Sequence, residues 1–313
     1  MTADDVHDAT PDWAREALAV PVTTGTVRSG PVRVPFREWA GRGDGGVLLV
    51  HGGSAHARWW DFVAPLLGDH RVVALDLSGH GDADTRDHYD LDDWTGEVCA
   101  VIDQLFAAPP VVIGHSMGGA IALSAAAEAG DRVAATVAID SLLGLGRAQD
   151  IPPSPGVRPP RLTETRAELV SRFRPIPDQG RAAPWMLHYV AHHSIRSDDQ
   201  GRFRWKFDPR IRAATWRDRS SPLKLTTPVV YYRCEYGLAG PSTLRAIAEA
   251  STTTPVEIRE LRGVGHNPML DTPRELAAEL TGLSSAVQSR RRRLDGPRYV
   301  NLHVGGKASA YDD

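Results

Sequence analysis

The chain has 313 residues, 42% of them hydrophobic, and a formal net charge of −3. That length and apolar content support one large core with room for an inserted segment, and the balanced charge excludes the broad basic surface that nucleic acid or an anionic membrane requires. Cys99 and Cys234 stand far apart in apolar runs and are expected as buried free thiols in a reducing, cytoplasmic setting, and neither an apolar leader nor a bilayer-spanning run is visible.

Residues 1–21 are polar with weak helical periodicity (Trp13, Ala17, Leu18) and are expected to form a surface arm. Val22 to Arg28 and Val32 to Phe36 are β-branched runs around Ser29-Gly30-Pro31, which predicts a hairpin at a sheet edge. After a glycine-rich turn at 41–46, Val47-Leu48-Leu49-Val50 is fully apolar, the pattern of a strand buried on both faces of a parallel sheet. It ends in His51-Gly52-Gly53-Ser54. Glycines here let backbone approach a ligand and turn an N–H toward it. Such donors stabilise the oxyanion of acyl transfer by about 3 kcal/mol each, and Gly53, with Ser54 beside it, is the expected donor. His51 is read as a hydrogen-bonding histidine of the turn.

Trp59, Trp60, Phe62, Val63, Leu66 and Leu67 predict a helix with an apolar face, and Arg71 to Asp76 predicts a strand. In the following loop, Leu77-Ser78-Gly79-His80-Gly81, Asp76 is read as a structural anchor. Leu91 to Phe106 carries apolar residues at helical spacing. Val111-Val112-Ile113 then runs into Gly114-His115-Ser116-Met117-Gly118, a G-x-S-x-G pattern followed by the helix-forming stretch from Ala120 to Glu128. A strand that turns straight into a helix holds its turn residue under strain, and the flanking glycines keep Cβ atoms out of the crowded backbone. Ser116 is thus the expected nucleophile, with the Met117 N–H facing the same space.

Ala134 to Asp140 is a further strand. From 141 to 222 the composition shifts to proline, arginine and aromatic residues without a parallel-strand pattern, which predicts a cap roofing the pocket, with helices over Arg161–Phe173 and Ala182–His193. His188, His192 and His193 lie at near-helical spacing, but no carboxylate or cysteine completes a familiar zinc pattern, so no metal is expected. Gly201 to Arg210 reads as a cap hairpin. Pro228–Cys234 and Val256–Leu261 are strands around a helix at Ser242–Ala250, and Gly263-Val264-Gly265-His266-Asn267-Pro268 sets a histidine among glycines at the end of a late strand. His266 is the expected general base. Arg274 to Leu283 forms the last helix, and the tail 286–313, with Arg290 to Arg293, is read as solvated.

HGGS after one strand, ALDLSGHG after the next, then GHSMGG and finally GVGHNPMLDTP form an ordered set that resembles the α/β-hydrolase superfamily over about residues 30–285, in its serine-nucleophile, capped branch. The resemblance implies an α/β fold: a mostly parallel eight-stranded sheet flanked by helices, built from 22–140 and 223–285, with the cap at 141–222. It also implies Ser116 as nucleophile, His266 as base, Gly53 and Met117 as the oxyanion hole, and no cofactor. One position departs from the family pattern. Most members carry an aspartate a few residues past the seventh strand, where this chain reads Cys234-Glu235-Tyr236-Gly237. Asp140, which keeps the order Ser, acid, His along the chain, is the favoured acid, with Glu235 as the alternative and Asp76 and Asp271 behind them. The expected function is a serine hydrolase acting on a small, fairly apolar ester, lactone or related carbonyl compound. The alternatives are a C–C hydrolase, lyase or cofactor-free oxygenase on the same fold, and a small-molecule sensor. No nucleic-acid or membrane partner is expected, and the chain is expected as a monomer or homodimer.

Overall fold

The computed structural model describes residues 9–142, 160–177, 181–214, 223–249 and 254–295, the side chains of 43, 44 and 288–295 excepted. An eight-stranded sheet has the order β1 (Val22–Ser29), β2 (Val32–Trp39), β4 (His70–Leu75), β3 (Arg42–Val50), β5 (Val111–His115), β6 (Ala135–Ile139), β9 (Val229–Tyr236), β10 (Val256–Gly265). The β1–β2 and β2–β4 pairs are antiparallel and the rest parallel. The strand order reverses between β3 and β5. In open parallel sheets a crevice opens there, outside the carboxyl ends of the strands. The HGGS turn follows β3 and Ser116 follows β5, so both motifs open into it.

The alternation along each strand divides the core in two. Val47, Leu49, Val111, Ile113 and Val137 pack on one face with Trp60, Phe62 and Leu280, whereas Leu48, Val50, Val112 and Ala138 pack on the other with Trp94, Val98 and Ile121. Helices α2 (Leu91–Leu105) and α3 (Met117–Ala129) cover the second face. Asp90 caps α2 by accepting from the Asp93 N–H at 2.7 Å. Cys99 in α2 and Cys234 in β9 are buried free thiols, as expected.

Several elements depart from the sequence expectation. The run from Trp59 to Leu67 is no α-helix but two 3-10 turns, Ala57–Trp60 and Ala64–Leu66. Trp59, Trp60, Asp61, Phe62, Val63 and Leu67 are all buried, so there is no solvent face for an amphipathic helix, and Pro65 withholds an N–H. Of the glycine-rich stretch at 41–46, all but Gly41 belongs to β3, with a register shift between Arg42 and Val47. The N-terminal arm contains α1 (Asp12–Ala19), fastened by Trp13, whose ring meets Phe62 and Trp185 edge-on at 6.3 and 5.9 Å.

Between β6 and β9 lie α4 (Arg166–Arg172), α5 (Pro184–His193) and the ribbon β7 (Ile195–Ser197) with β8 (Phe203–Trp205). α4 starts later than expected because Thr165 caps it, accepting from Glu168 N–H at 3.3 Å, and Pro184 starts α5. Beyond β9 come α6 (Pro241–Glu249), α7 (Pro268–Asp271) and α8 (Pro273–Asp295). The last helix outruns its expected end and takes in the first third of the stretch read as tail, whereas 296–313 lie outside the described residues.

Candidate active site

Ser116 sits where β5 turns into α3, at φ 51 and ψ −119. A positive φ is costly for a non-glycine residue and persists only when its surroundings fix it. Here the Ser116 N–H donates to the Ile139 carbonyl at 2.9 Å, and its carbonyl accepts from the Gly119 N–H at 3.0 Å and the Ser141 hydroxyl at 2.7 Å. The flanking glycines are a packing requirement. A Cβ on Gly114 would lie 2.1 Å from the Gly118 carbonyl oxygen, and one on Gly118 would lie 2.4 Å from that of His51.

His266 leaves β10 just before α7. The Asp271 carboxylate accepts from the Gly265 N–H at 2.7 Å, so this residue, weighed as an acid, instead braces the loop. His115 Nε2 meets the His266 carbonyl oxygen at 2.7 Å and must donate to it. Burial pushes the His115 imidazole down to about 3, so it is neutral at pH 7, its one N–H is spent on this bond, and it is not a second base. Nothing beyond its place inside G-x-S-x-G marked His115 in the sequence.

The structure brings Ser116, His266 and Asp140 together. His266 Nε2 lies 3.0 Å from Ser116 Oγ, and its Nδ1 lies 2.6 Å from Asp140 Oδ2. Asp140 is fully buried at the end of β6, itself at φ 44. Its carboxylate also accepts from the N–H groups of Leu238 at 2.7 Å and of Cys234 and Ala239 at 3.3 Å. Burial pushes this carboxyl up, but His266 and these donors outweigh it and hold it below the usual carboxylate range.

Glu235, the alternative acid, does not face His266. Its carboxylate accepts from the Gly263 N–H at 2.8 Å, at the rim. The reason is strand parity: Cys234 points inward, so Glu235 points out. Asp76 accepts from the N–H groups of Ala57 and Asp82 at 2.7 and 2.8 Å, the anchoring expected of it.

Gly53 is exposed at the end of β3, and a Cβ there would sit 3.7 Å from Met117 Sδ. Among the described residues no protein acceptor takes the N–H of Gly53 or Met117. Met117 opens α3, so its amide lies at the positive end of the helix dipole. His51 braces the turn from behind. Its Nδ1 donates to the Gly52 carbonyl at 2.8 Å and its Nε2 accepts from the Leu77 N–H at 3.1 Å, while burial pushes its imidazole down to about 4.

The segment between β6 and β9 is docked by polar contacts on core loops. Tyr189 of α5 donates to Asp61 at 2.6 Å, His56 Nε2 donates to Ser194 Oγ at 2.8 Å, Lys206 meets Asp82 at 2.8 Å, and Tyr89 donates to Asp208 at 3.0 Å. Trp59, Phe173 and Trp205 form an aromatic chain from core to insert, with ring centres 6.1 and 5.8 Å apart. Along α5, His188 stacks on His192 with ring centres 6.4 Å apart, and His193 meets His192 and Tyr189 edge-on, the latter at 4.4 Å. Among the described residues, the group with metal-like spacing is His88, Asp90 and Asp93, where Asp90 caps α2 and Asp93 pairs with Arg86 at 3.0 Å. A cavity of about 430 Å³ between β1, β2 and Lys206 is lined by none of Ser116, His266 and Asp140.

Residues 47–279 match the alpha/beta hydrolase family. The chain is 42% identical over 113 residues to the dihydrolipoyllysine-residue acetyltransferase component of the acetoin cleaving system of Pseudomonas putida, covering 36% of this chain and 30% of that protein. It is 37% identical over 99 residues to lipase LipV of Mycobacterium tuberculosis (32% and 38% covered), and 34% identical over 129 residues to the pimeloyl-[acyl-carrier protein] methyl ester esterase of Neisseria meningitidis (41% and 46% covered). The chain thus spans less than half the length of these relatives. Among solved structures, a Mycobacterium tuberculosis esterase superposes with a TM-score of 0.70 at 21% identity, over 90% of this chain and 99% of that one. The thioesterase domain from the curacin biosynthetic pathway superposes with a TM-score of 0.67 at 20% identity, over 83% and 99%. The family match runs from β3 into α8 and takes in Gly53, Ser116, Asp140 and His266, and the chain belongs to the alpha/beta hydrolase family.

Proposed function

We propose that the chain is a serine hydrolase that cleaves a small, fairly apolar ester, lactone or related carbonyl substrate through an acyl-enzyme intermediate. The observation that carries this reading is the unbroken line from Ser116 Oγ through His266 to the buried Asp140 carboxylate. His266 Nε2 takes the Ser116 proton as Oγ attacks the carbonyl carbon, and Asp140 holds the Nδ1–H tautomer and stabilises the imidazolium. The charge that develops on the carbonyl oxygen meets the N–H groups of Gly53 and Met117. Collapse of the tetrahedral intermediate expels the alcohol, which takes the proton from His266. Water then enters, His266 deprotonates it, and a second tetrahedral intermediate releases the acid and restores Ser116. The steps use only the chain's own groups and water.

The lipase and methyl ester esterase among the relatives support an ester substrate. The C–C hydrolase, lyase and oxygenase alternatives draw on the missing seventh-strand acid, and the contact between Asp140 and His266 supports ester hydrolysis over them. Turnover of p-nitrophenyl acetate and butyrate tests the reading. Ser116→Ala is expected to lose at least about 10³-fold in kcat. A variant that turns over at the wild-type rate would contradict it.

A further inference from the structure

The glycine at position 237 stands against the acid. A Cβ built on Gly237 falls 2.3 Å from Asp140 Oδ2, 2.4 Å from Oδ1 and 2.5 Å from Cγ, distances no real side chain tolerates. Gly237 does not have a positive φ, so its backbone is one that any residue adopts, and glycine is not needed there for conformational freedom. Asp140 is the reverse case, an aspartate at φ 44, where glycine would be at ease. The chain carries its side chain at the strained position and omits one at the relaxed position. The turn around Gly237 also closes on the carboxylate. The Gly237 N–H donates to the Cys234 carbonyl at 3.0 Å, and the N–H groups of Cys234, Leu238 and Ala239 all point at Asp140.

We infer that positions 140 and 237 are mutually exclusive seats for one carboxylate serving His266, and that Gly237 is a positioning residue whose missing side chain admits Asp140. The inference rests on the serine hydrolase reading. A side chain at 237 pushes the Asp140 carboxylate off Nδ1, because the neighbour in the way is a buried, four-donor carboxylate rather than the free end of a flexible chain. The Cβ direction at 237 also points into the space the carboxylate fills. An aspartate at 237 therefore brings its own carboxyl group toward His266 once position 140 is emptied, and the three N–H donors remain to receive it.

The test compares wild type, Gly237→Ala, Asp140→Gly and the double variant Asp140→Gly/Gly237→Asp, all checked for folding by circular dichroism, with p-nitrophenyl butyrate as substrate. Gly237→Ala is expected to lower kcat by about tenfold or more with KM within about twofold. Asp140→Gly is expected to lose about 10³- to 10⁴-fold in kcat. The double variant should regain at least about tenfold of that loss. Wild-type kcat in Gly237→Ala, or a loss carried by KM with kcat unchanged, would overturn the inference. A folded double variant no faster than Asp140→Gly would do so as well, and it decides the matter if Gly237→Ala does not fold. Retained turnover in Ser116→Ala would overturn the hydrolase reading instead.

Discussion

The tightest constraints in this molecule act on single atoms. Gly114 and Gly118 have no room for a methyl group because their Cα positions abut backbone carbonyls, which cannot rotate away as a side chain does. Gly118→Ala is therefore expected to shift the elbow. The contact at 2.4 Å is with the carbonyl oxygen of His51, the residue that opens the HGGS turn, so the strain passes into the turn that carries Gly53. Urea denaturation should show a loss of about 1–3 kcal/mol, typical of overpacking, and kcat should fall with it. An unchanged midpoint would mean that the backbone yields at little cost. Ser116 and Asp140 occupy positive φ values, and each is held by a backbone bond, Ser116 to Ile139 and Asp140 to Tyr232 at 2.7 Å. Their strain is thus opposed locally by the sheet that places them.

At the scale of elements, the insert's attachment depends on few buried polar contacts. Asp61, 2% exposed, accepts from Arg37 at 3.0 Å, from Arg58 at 3.3 Å and from the Tyr189 hydroxyl of α5. Burial pushes its carboxyl up, while Arg37 and Tyr189 pull it down. Tyr189→Phe leaves this carboxylate short of a donor in a buried site, and a loss of about 1–3 kcal/mol follows. Because α5 lies over the core loops, KM for an ester should rise while kcat holds; a fall in kcat alone would show that the contact serves the chemistry rather than the roof. The sequence foretold α5, but the hairpin read over Gly201–Arg210 supplies only β8, which pairs with Ile195–Ser197 upstream, and no pattern revealed that Asp61 and His56 fasten the insert. Partners such as Tyr189 and Ser194 lie more than a hundred positions away, and only the fold brings them near. The helix read over Trp59–Leu67 failed for a related reason. Clustered apolar residues suit any buried segment, and periodicity distinguishes a helix only where one face meets water.

Over the whole molecule, the strands were legible because buried parallel strands are short apolar runs, and each site motif stands at the carboxyl end of one. That Ser116 and His266 meet, and that Gly53 lies near Met117, could therefore be read from their settings. The acid could not be decided, because Asp140 and Glu235 both end strands and only strand parity separates them. The molecule also buries neutral imidazoles, and this has a consequence for acid stability. His80, fully buried against His51 and Trp94, has its imidazole pushed by burial from 6.5 down to about 3. The unfolded chain takes up that proton near pH 6.5 and the folded chain only near 3, so stability falls as pH drops through this window. Relative to a folded His80→Gln variant, wild type should lose up to about 1.4 kcal/mol per pH unit between these values in urea titrations. A difference that does not vary with pH would contradict the assignment.

We propose Ser116 as an activated nucleophile oriented through His266 by Asp140. Intact-mass measurement after exposure to a fluorophosphonate tests it most directly, because labelling reports the activated serine without requiring the right substrate. A single adduct is expected on wild type, absent from Ser116→Ala, slowed severely in Asp140→Asn and retained in Glu235→Gln. A folded wild type that takes no adduct, or an adduct that survives in Ser116→Ala, would contradict it.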